Sequence, residues 1–208
     1  KDFETYQKER LATRDKWMQG LRTRVARFPS DPEPLVMQAH AECMAKDFMA
    51  CRATADRALT LQSDNWEAML RKGQALLGLA ATVPESERKA VFKDARSWLL
   101  RANAANPPAH EPLYYYHQSF GDEGRAATDV AVKGLAQVVG TIPQIDEPRL
   151  LLGQELIARN NFVEARRILR PLAFSSHMSV EKQKAVAMLK LVDERENMGG
   201  AAKAVAAD

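Results

Sequence analysis

The sequence predicts an all-α protein: an α-solenoid of about four helical hairpins, with a long N-terminal helix before them and a C-terminal capping helix after them. Three observations carry this. The 208 residues contain only 10 Gly and 10 Pro and are rich in Ala, Leu, Arg, Lys, Glu and Met, a composition that favours helices over short strands joined by many turns. Paired apolar patterns of helical period recur along the chain, the mark of a repeat architecture. Small residues return at a fixed spacing between one pair and the next, as stacked hairpins require.

The same composition sets limits. With 46% apolar and 27% charged residues, disordered and collagen-like chains are excluded. A net charge of +3, from 30 basic and 27 acidic residues, falls far short of the concentrated positive stripe that phosphate backbones demand, so nucleic acid is not an expected partner. The most apolar stretch, Ala75 to Val83, is about half of the ~20 residues a membrane span needs and is interrupted by Gly78; no membrane insertion is expected. The chain opens on Lys1 with no basic-then-apolar leader and reads as a fragment or processed product, leaving the compartment open between cytoplasm and bacterial periplasm. Cys43 and Cys51 are the two cysteines, too few for a zinc site or a disulfide framework. Buried thiols acting as small apolar groups are the leading reading, and a single disulfide between neighbouring helices is the alternative.

Residues 1–30 form the N-terminal helix, with Phe3, Tyr6, Trp17, Leu21, Val25 and Phe28 apolar among charged neighbours. The first hairpin, 31–65, carries Leu35, Ala39 and Cys43, then Phe48, Cys51, Ala55, Ala58 and Leu59. The second, 66–109, carries Met69, Gly73 and Leu76, then Phe92, Ala95, Leu99 and Ala102. The third, 110–145, has Leu113, Tyr116, His117 and Phe120, then Ala131, Leu135 and Val138. The fourth, 146–178, has Leu152, Gly153 and Leu156, then Phe162, Ala165, Leu169 and Leu172. A cap at 179–197 turns Ala185, Met188, Leu189 and Val192 inward and Glu181, Lys182, Lys184 and Glu194 outward. The Gly/Ala-rich tail 198–208 is expected to fray.

The register is arithmetic. Cys51 to Gly73, Ala95 to His117 and Ala131 to Gly153 are each 22 positions, and 22 beyond Ala165 lies Ala187 in the cap. Within hairpins the corresponding separations vary: 12, 22, 14 and 12. Contacts between hairpins are therefore fixed while loop tips vary. Small residues suit these slots because helices approach closely only where side chains are short. The chain is expected to form one continuous solenoid in which neither half has its own core. Asp31-Pro32-Glu33 and Asp146-Glu147-Pro148 mark helix starts. Thr82-Val83-Pro84-Glu85 reads as a capping box opening a lengthened helix at 84–104, which also offers a surface for a homodimer.

Units of 34 residues with Gly or Ala on the first helix, Ala on the second and a closing Pro resemble the tetratricopeptide repeat over about residues 32–177. Asn161-Phe162-Val163-Glu164-Ala165 and Lys46-Asp47-Phe48-Met49-Ala50-Cys51 are similar to its inter-helix turn. Gln38, Lys72 and Glu42 depart from apolar family positions, Ser63 stands at a closing Pro, and His117 fills a slot for Gly or Ala, which predicts a splayed or rotated third hairpin. The resemblance implies a non-catalytic scaffold that binds a protein or peptide on its concave face. Members that grip acidic C-termini use clustered Lys, Arg and Asn, whereas here Arg71 is the main basic residue, so that docking role is not implied. Ala95-Arg96-Ser97-Trp98 to Ala102-Asn103, Pro112-Leu113-Tyr114-Tyr115-Tyr116 with Ser119-Phe120, and Pro171-Leu172-Ala173-Phe174 with His177 also resemble the repeat tails of bacterial gluzincin-like metallopeptidases. The alternative this implies is an accessory, substrate-recruiting domain of a larger envelope protein.

No catalytic, cofactor or metal residues are assigned. His110-Glu111 begins a zinc-protease pattern, but Tyr114 stands where the second His is needed. His110 and His117 are too far apart along a helix to share an ion, and His40 and His177 are isolated. There is no Gly-rich phosphate loop and no nucleophile elbow. Glu33, Glu67, Glu111 and Glu147 recur in the first turns of the first helices, where they complement the helix dipole and also form an acidic edge. The candidate partner-binding groove combines the apolar residues Val36, Leu70, Leu77, Leu150 and Ile157, with Cys43, and the polar row His40, Gln74, Gln118 and Gln154. Tyr114 and Tyr115 are its anchors. Apolar pockets flanked by amides suit an extended peptide or a partner helix; packing between units or cover by the N-terminal helix is the competing use of the same residues.

Overall fold

The computed structural model describes residues 3–176 and 178–205 and contains ten α-helices and no strand among them. They are α1 (Phe3–Arg27), α2 (Pro32–Met44), α3 (Phe48–Leu61), α4 (Trp66–Leu79), α5 (Glu85–Ala105), α6 (Glu111–Asp122), α7 (Asp129–Thr141), α8 (Asp146–Ala158), α9 (Phe162–Ala173) and α10 (Val180–Val205). No helix among the described residues is long and apolar enough to cross a membrane. The chain divides into two compact units, Lys1–Arg125 and Ala126–Asp208. The division falls inside the expected third hairpin, with α6 closing the first unit and α7 opening the second.

Two kinds of turn are used repeatedly. At four junctions an amide donates to the carbonyl three residues back: Asp31 to Phe28, Asn65 to Gln62, Ala109 to Asn106 and Ile145 to Ile142, at 3.1–3.2 Å. Pro29, Pro107 and Pro143 occupy the second position of three of these turns, where a fixed φ is already correct. Ser63 stands at that position in the fourth, which closes with the same hydrogen bond plus Asn65 Nδ2 donating to Gln62 Oε1. The second kind ends α2, α6 and α8 with a left-handed residue, Lys46 (φ 61), Gly124 (φ 73) and Asn160 (φ 57). The next amide then reaches back five residues, Asp47 to Glu42, Arg125 to Phe120 and Asn161 to Leu156, which satisfies end carbonyls. Asp47 and Asn161 go on to cap α3 and α9, accepting from Ala50 N and Glu164 N.

Caps elsewhere follow the sequence in part. Asp31 accepts from the Glu33 amide to start α2 as expected. The expected capping box does not form, because the Thr82 hydroxyl donates to the Leu79 carbonyl at the end of α4 and α5 starts after Pro84 without a side-chain cap. Asp146 likewise lies inside α8 rather than capping it. The lengthened helix is present: α5 has 21 residues against 14 in α4.

In the first unit, Leu35, Val36, Ala58 and Ala68 form one core cluster with Val25 and Leu59. Ala39, Cys51, Ala55 and Ala75 form another with Cys43 and Phe48. Close helix approach is visible at the glycines. A Cβ on Gly73 would lie 2.8 Å from Leu99 of α5, and one on Gly78 would lie 2.3 Å from the Phe48 ring. The polar departures are accommodated in place: buried Gln38 donates to buried Glu42 at 2.6 Å, and Lys72 pairs with Asp56 at 2.6 Å over the Trp98 ring. Arg96 ties α5 to α6, donating to the Ser119 hydroxyl and carbonyl and to Glu123, under the face of Phe120. Among the described side chains of α1, Leu21 is buried, Val25 half-buried and Trp17 exposed, and Phe28 just after the helix is exposed too, so the apolar contact of this part is narrower than its sequence pattern. Phe3 and Tyr6 have side chains outside the described residues.

In the second unit the core joins Leu150, Ile157, Ala165, Leu169, Leu172 and Ala173 to Ala185 and Val192 of α10, with Met188 and Leu189 against it. A Cβ on Gly153 would come within 2.5 Å of Leu169. Ala185 fills the buried small position in α10, whereas Ala187, reached by the 22-residue step, is exposed; the register shifts as the cap replaces a repeat. Arg166 holds α10 through Asp193 and Glu196. The helix runs on to Val205 through most of the stretch expected to fray, and 206–208 and His177 lie outside the described residues.

Cys43 and Cys51 are joined in a disulfide, with Cα atoms 5.2 Å apart. The leading expectation of two buried thiols is thus replaced by its alternative. The left-handed turn at Lys46 folds the first turn of α3 back beside the last turn of α2, within the separation a disulfide spans.

Two outcomes check this packing. Gly153→Ala is expected to destabilise by about 1–3 kcal/mol through overpacking, while Gly20→Ala, whose Cβ would meet nothing within 4 Å, gains about 1 kcal/mol of helix propensity. Opposite shifts in the urea midpoint would be observed. Arg96→Ala is expected to lower stability by about 1–3 kcal/mol, as loss of a partly buried charged hydrogen-bond donor does, with Arg96→Lys recovering only part.

Candidate functional site

The first unit contains a cleft of about 550 Å³ that five of its helices shape. Helix α2 contributes His40, Cys43 and Met44, α3 contributes Phe48, and α4 contributes Gln74, Leu77 and Gly78. Ala80 and Ala81 follow α4, α5 contributes Arg88 and Phe92, and α6 contributes Tyr115, Gln118 and Asp122. Aromatic and aliphatic groups meet polar side chains drawn from four different helices, the composition of a recognition pocket. The expected groove residues His40, Gln74, Leu77, Tyr115 and Gln118, with Cys43, all line it.

The other expected groove residues are placed differently. Val36 and Leu70 are buried, Leu70 completely. Tyr114 stacks edge-on against Tyr115 with ring centroids 5.5 Å apart, and its hydroxyl accepts a 2.7 Å hydrogen bond from Gln118 Nε2, so it contacts two residues that line the cleft. Leu150 and Ile157 are buried in the core of the second unit, where Gln154 is exposed. Missed in the sequence were Phe48, Phe92, Arg88, Met44 and Asp122 as wall residues. Gly78 carried a usable signal, since a glycine within an apolar helix marks a close approach, here by the Phe48 ring.

The electrostatics are set by burial beside a cation. Arg71 is buried and donates to Gln74 Oε1 at 2.7 Å. Burial pushes its guanidinium down from its ordinary range, against the raising influence of Glu111, Tyr115 and Glu67. His40 is held below its ordinary 6.5, first by desolvation against the cleft wall and then by the Arg71 charge, with Glu111 opposing. Desolvation raises the Asp122 carboxyl. Both shifts run in the direction that desolvation imposes on an ionisable group. Among the described residues, no three His, Cys, Asp or Glu side chains converge as a metal site. Glu33, Glu67 and Glu111 lie in the first turns of α2, α4 and α6, and Glu147 in that of α8, where they complement the helix dipoles.

No protein-family model and no curated protein matches the sequence. Solved structures do. The chain is similar to TTC0263, described as a thermophilic tetratricopeptide-repeat (TPR) protein of Thermus thermophilus, with a TM-score of 0.66 and 16% identity over 88% of this chain and 94% of that one. The protein has a tetratricopeptide-repeat fold. MamA from Desulfovibrio magneticus RS-1 is similar as well, with a TM-score of 0.57 and 17% identity over 91% of this chain and 89% of that one. A second MamA structure gives a TM-score of 0.59 and 15% identity over 84% and 92%. In TPR terms the cleft lies on the first helices α2, α4 and α6, with the second helices α3 and α5 adding one wall residue and two.

Because the folded state holds His40 below 6.5, the native chain binds fewer protons than the unfolded chain just below that pH. Stability therefore rises as pH increases through this window and falls as His40 is forced to protonate. His40→Gln is expected to flatten that slope in urea titrations across the window; an unchanged slope would remove His40 as its source.

Proposed function

We propose that the protein is a non-catalytic interaction scaffold whose first unit binds a segment of a protein partner, an extended peptide or a helix, in the α2–α6 cleft. The observation that supports this is the convergence of His40, Gln74, Tyr115 and Gln118 around Leu77, Phe48 and Phe92 in one open cleft. Apolar side chains of a partner bury against the aliphatic and aromatic groups, and the amides and the imidazole pair with its backbone. The aromatic and aliphatic lining favours a partner segment anchored by apolar side chains. Leu70 and Val36 support the cleft from inside the core, and Leu150, Gln154 and Ile157 are left to the second unit.

The Cys43–Cys51 disulfide favours a second reading, that of a recruiting domain in a larger envelope metallopeptidase-like protein, because such bonds persist in oxidising compartments. The coding sequence upstream of Lys1 decides it: a His-Glu-x-x-His helix supports this reading and its absence removes it. The homodimer surface on α5 has no apolar support in its first turns, where Glu85 to Ala90 are exposed and mostly charged.

For the scaffold reading, peptides selected by phage display against the folded protein are expected to lose at least roughly tenfold in affinity, about 1.4 kcal/mol, on Tyr115→Ala or Leu77→Glu. Helicity should stay unchanged, and Gln154→Ala should have no effect. Equal binding to all four proteins would overturn the assignment of the cleft.

A further inference from the structure

We propose that the Cys43–Cys51 bond is a thiol-exchange site entered from the cleft, with Cys43 the sulfur that is attacked and Cys51 the sulfur that is released. The two cysteines are unequally placed. Cys51 is fully buried in a core cluster with Ala39, Ala55 and Ala75, whereas Cys43 is partly exposed and lines the cleft beside Met44, Gln74 and Tyr115. Both sulfurs rest 3.6 Å from the Arg71 carbonyl, so the backbone of α4 closes off that side. The open approach is through the cleft, onto Cys43.

The chemistry needs only a thiol. A thiolate attacks Cys43 Sγ, one sulfur–sulfur bond forms and the Cys43–Cys51 bond breaks, and its electron pair leaves on Cys51, which takes up a proton. When the reagent is a dithiol, its second thiolate attacks the mixed disulfide, frees Cys43 as a thiol and departs as the oxidised reagent, so two electrons pass to the protein. The turn between α2 and α3 then keeps its backbone hydrogen bonds from Lys46 to Cys43 and from Asp47 to Glu42 and the Phe48 ring in the notch at Gly78, but loses its crosslink. Met44 and Phe48, the wall residues flanking that turn, gain freedom. The exchange site thus couples the local redox state to the shape of the cleft, whatever the cleft holds.

The test uses the full oxidised chain with glutathione as the small thiol, acid quenching and peptide mapping by mass spectrometry. The expected adduct is on Cys43, in at least roughly tenfold excess over Cys51, because access governs exchange. Hydrogen exchange at the amides of residues 45–51 should quicken after dithiothreitol reduction while α8 and α9 stay unchanged. In Cys51→Ser the remaining thiol should react with glutathione disulfide in the folded protein; in Cys43→Ser it should react only in urea. Adducts on Cys51, equal adducts on both sulfurs, no adduct at all, or unchanged exchange at 45–51 would each overturn the proposal. Adduct mapping on the wild-type chain decides it even if a variant fails to fold.

Discussion

Close approach between the two helices of a hairpin is the constraint on which the rest depends. At Gly73 and Gly153 there is no room for a methyl group beside Leu99 and Leu169, and those leucines are completely buried because the glycines let them in. A leucine seated on a neighbouring backbone contributes apolar burial and dispersion together. Each first helix then presents its remaining faces at a set distance to the hairpins around it. Ala95, Ala131 and Ala165, all fully buried, act in the same way from the second helices. Their side chains are short enough that the large residues between them decide the spacing.

This explains which parts of the structure were legible. Small slots at fixed spacing, Pro in the closing turns and apolar residues three and four apart are local signals with one structural solution, so the helices and their pairing could be read residue by residue. Boundaries that depend on competition were not. Thr82 had a good capping partner in sequence, yet its hydroxyl is taken by the Leu79 carbonyl of the preceding helix. Ala187 sits on the 22-residue step, but the cap is no longer a repeat and Ala185 takes the buried place. The division of the chain after Arg125 has no composition change to announce it.

The site was legible to the extent that it is built from first helices. Helical spacing placed His40, Gln74, Leu77, Tyr115 and Gln118 on one face, and they do share a cleft. Spacing alone cannot say how deep a residue on that face lies, so Leu70 and Val36 were indistinguishable from Leu77 until the neighbouring helices were in place. It also cannot say which loop-side residues fold over the opening. Phe48, Phe92 and Arg88 reach the cleft only through the turn at Lys46 and the length of α5, both of which are tertiary outcomes.

Helix α4 is where these features meet. Its Gly73 receives Leu99 from α5 and its Gly78 receives Phe48 from α3. Its Lys72 is anchored by Asp56 of α3, and the Arg71 carbonyl backs the disulfide while the Arg71 guanidinium, bonded to Gln74, charges the underside of the cleft. A buried arginine whose hydrogen-bond partner is an amide rather than a carboxylate keeps its field, and that field reaches His40. Helix α4 therefore packs against both the disulfide and the cleft, and two of its glycines receive the side chains of its neighbours. The α2–α3 turn and the cleft are thus in contact through the Phe48 ring seated at Gly78.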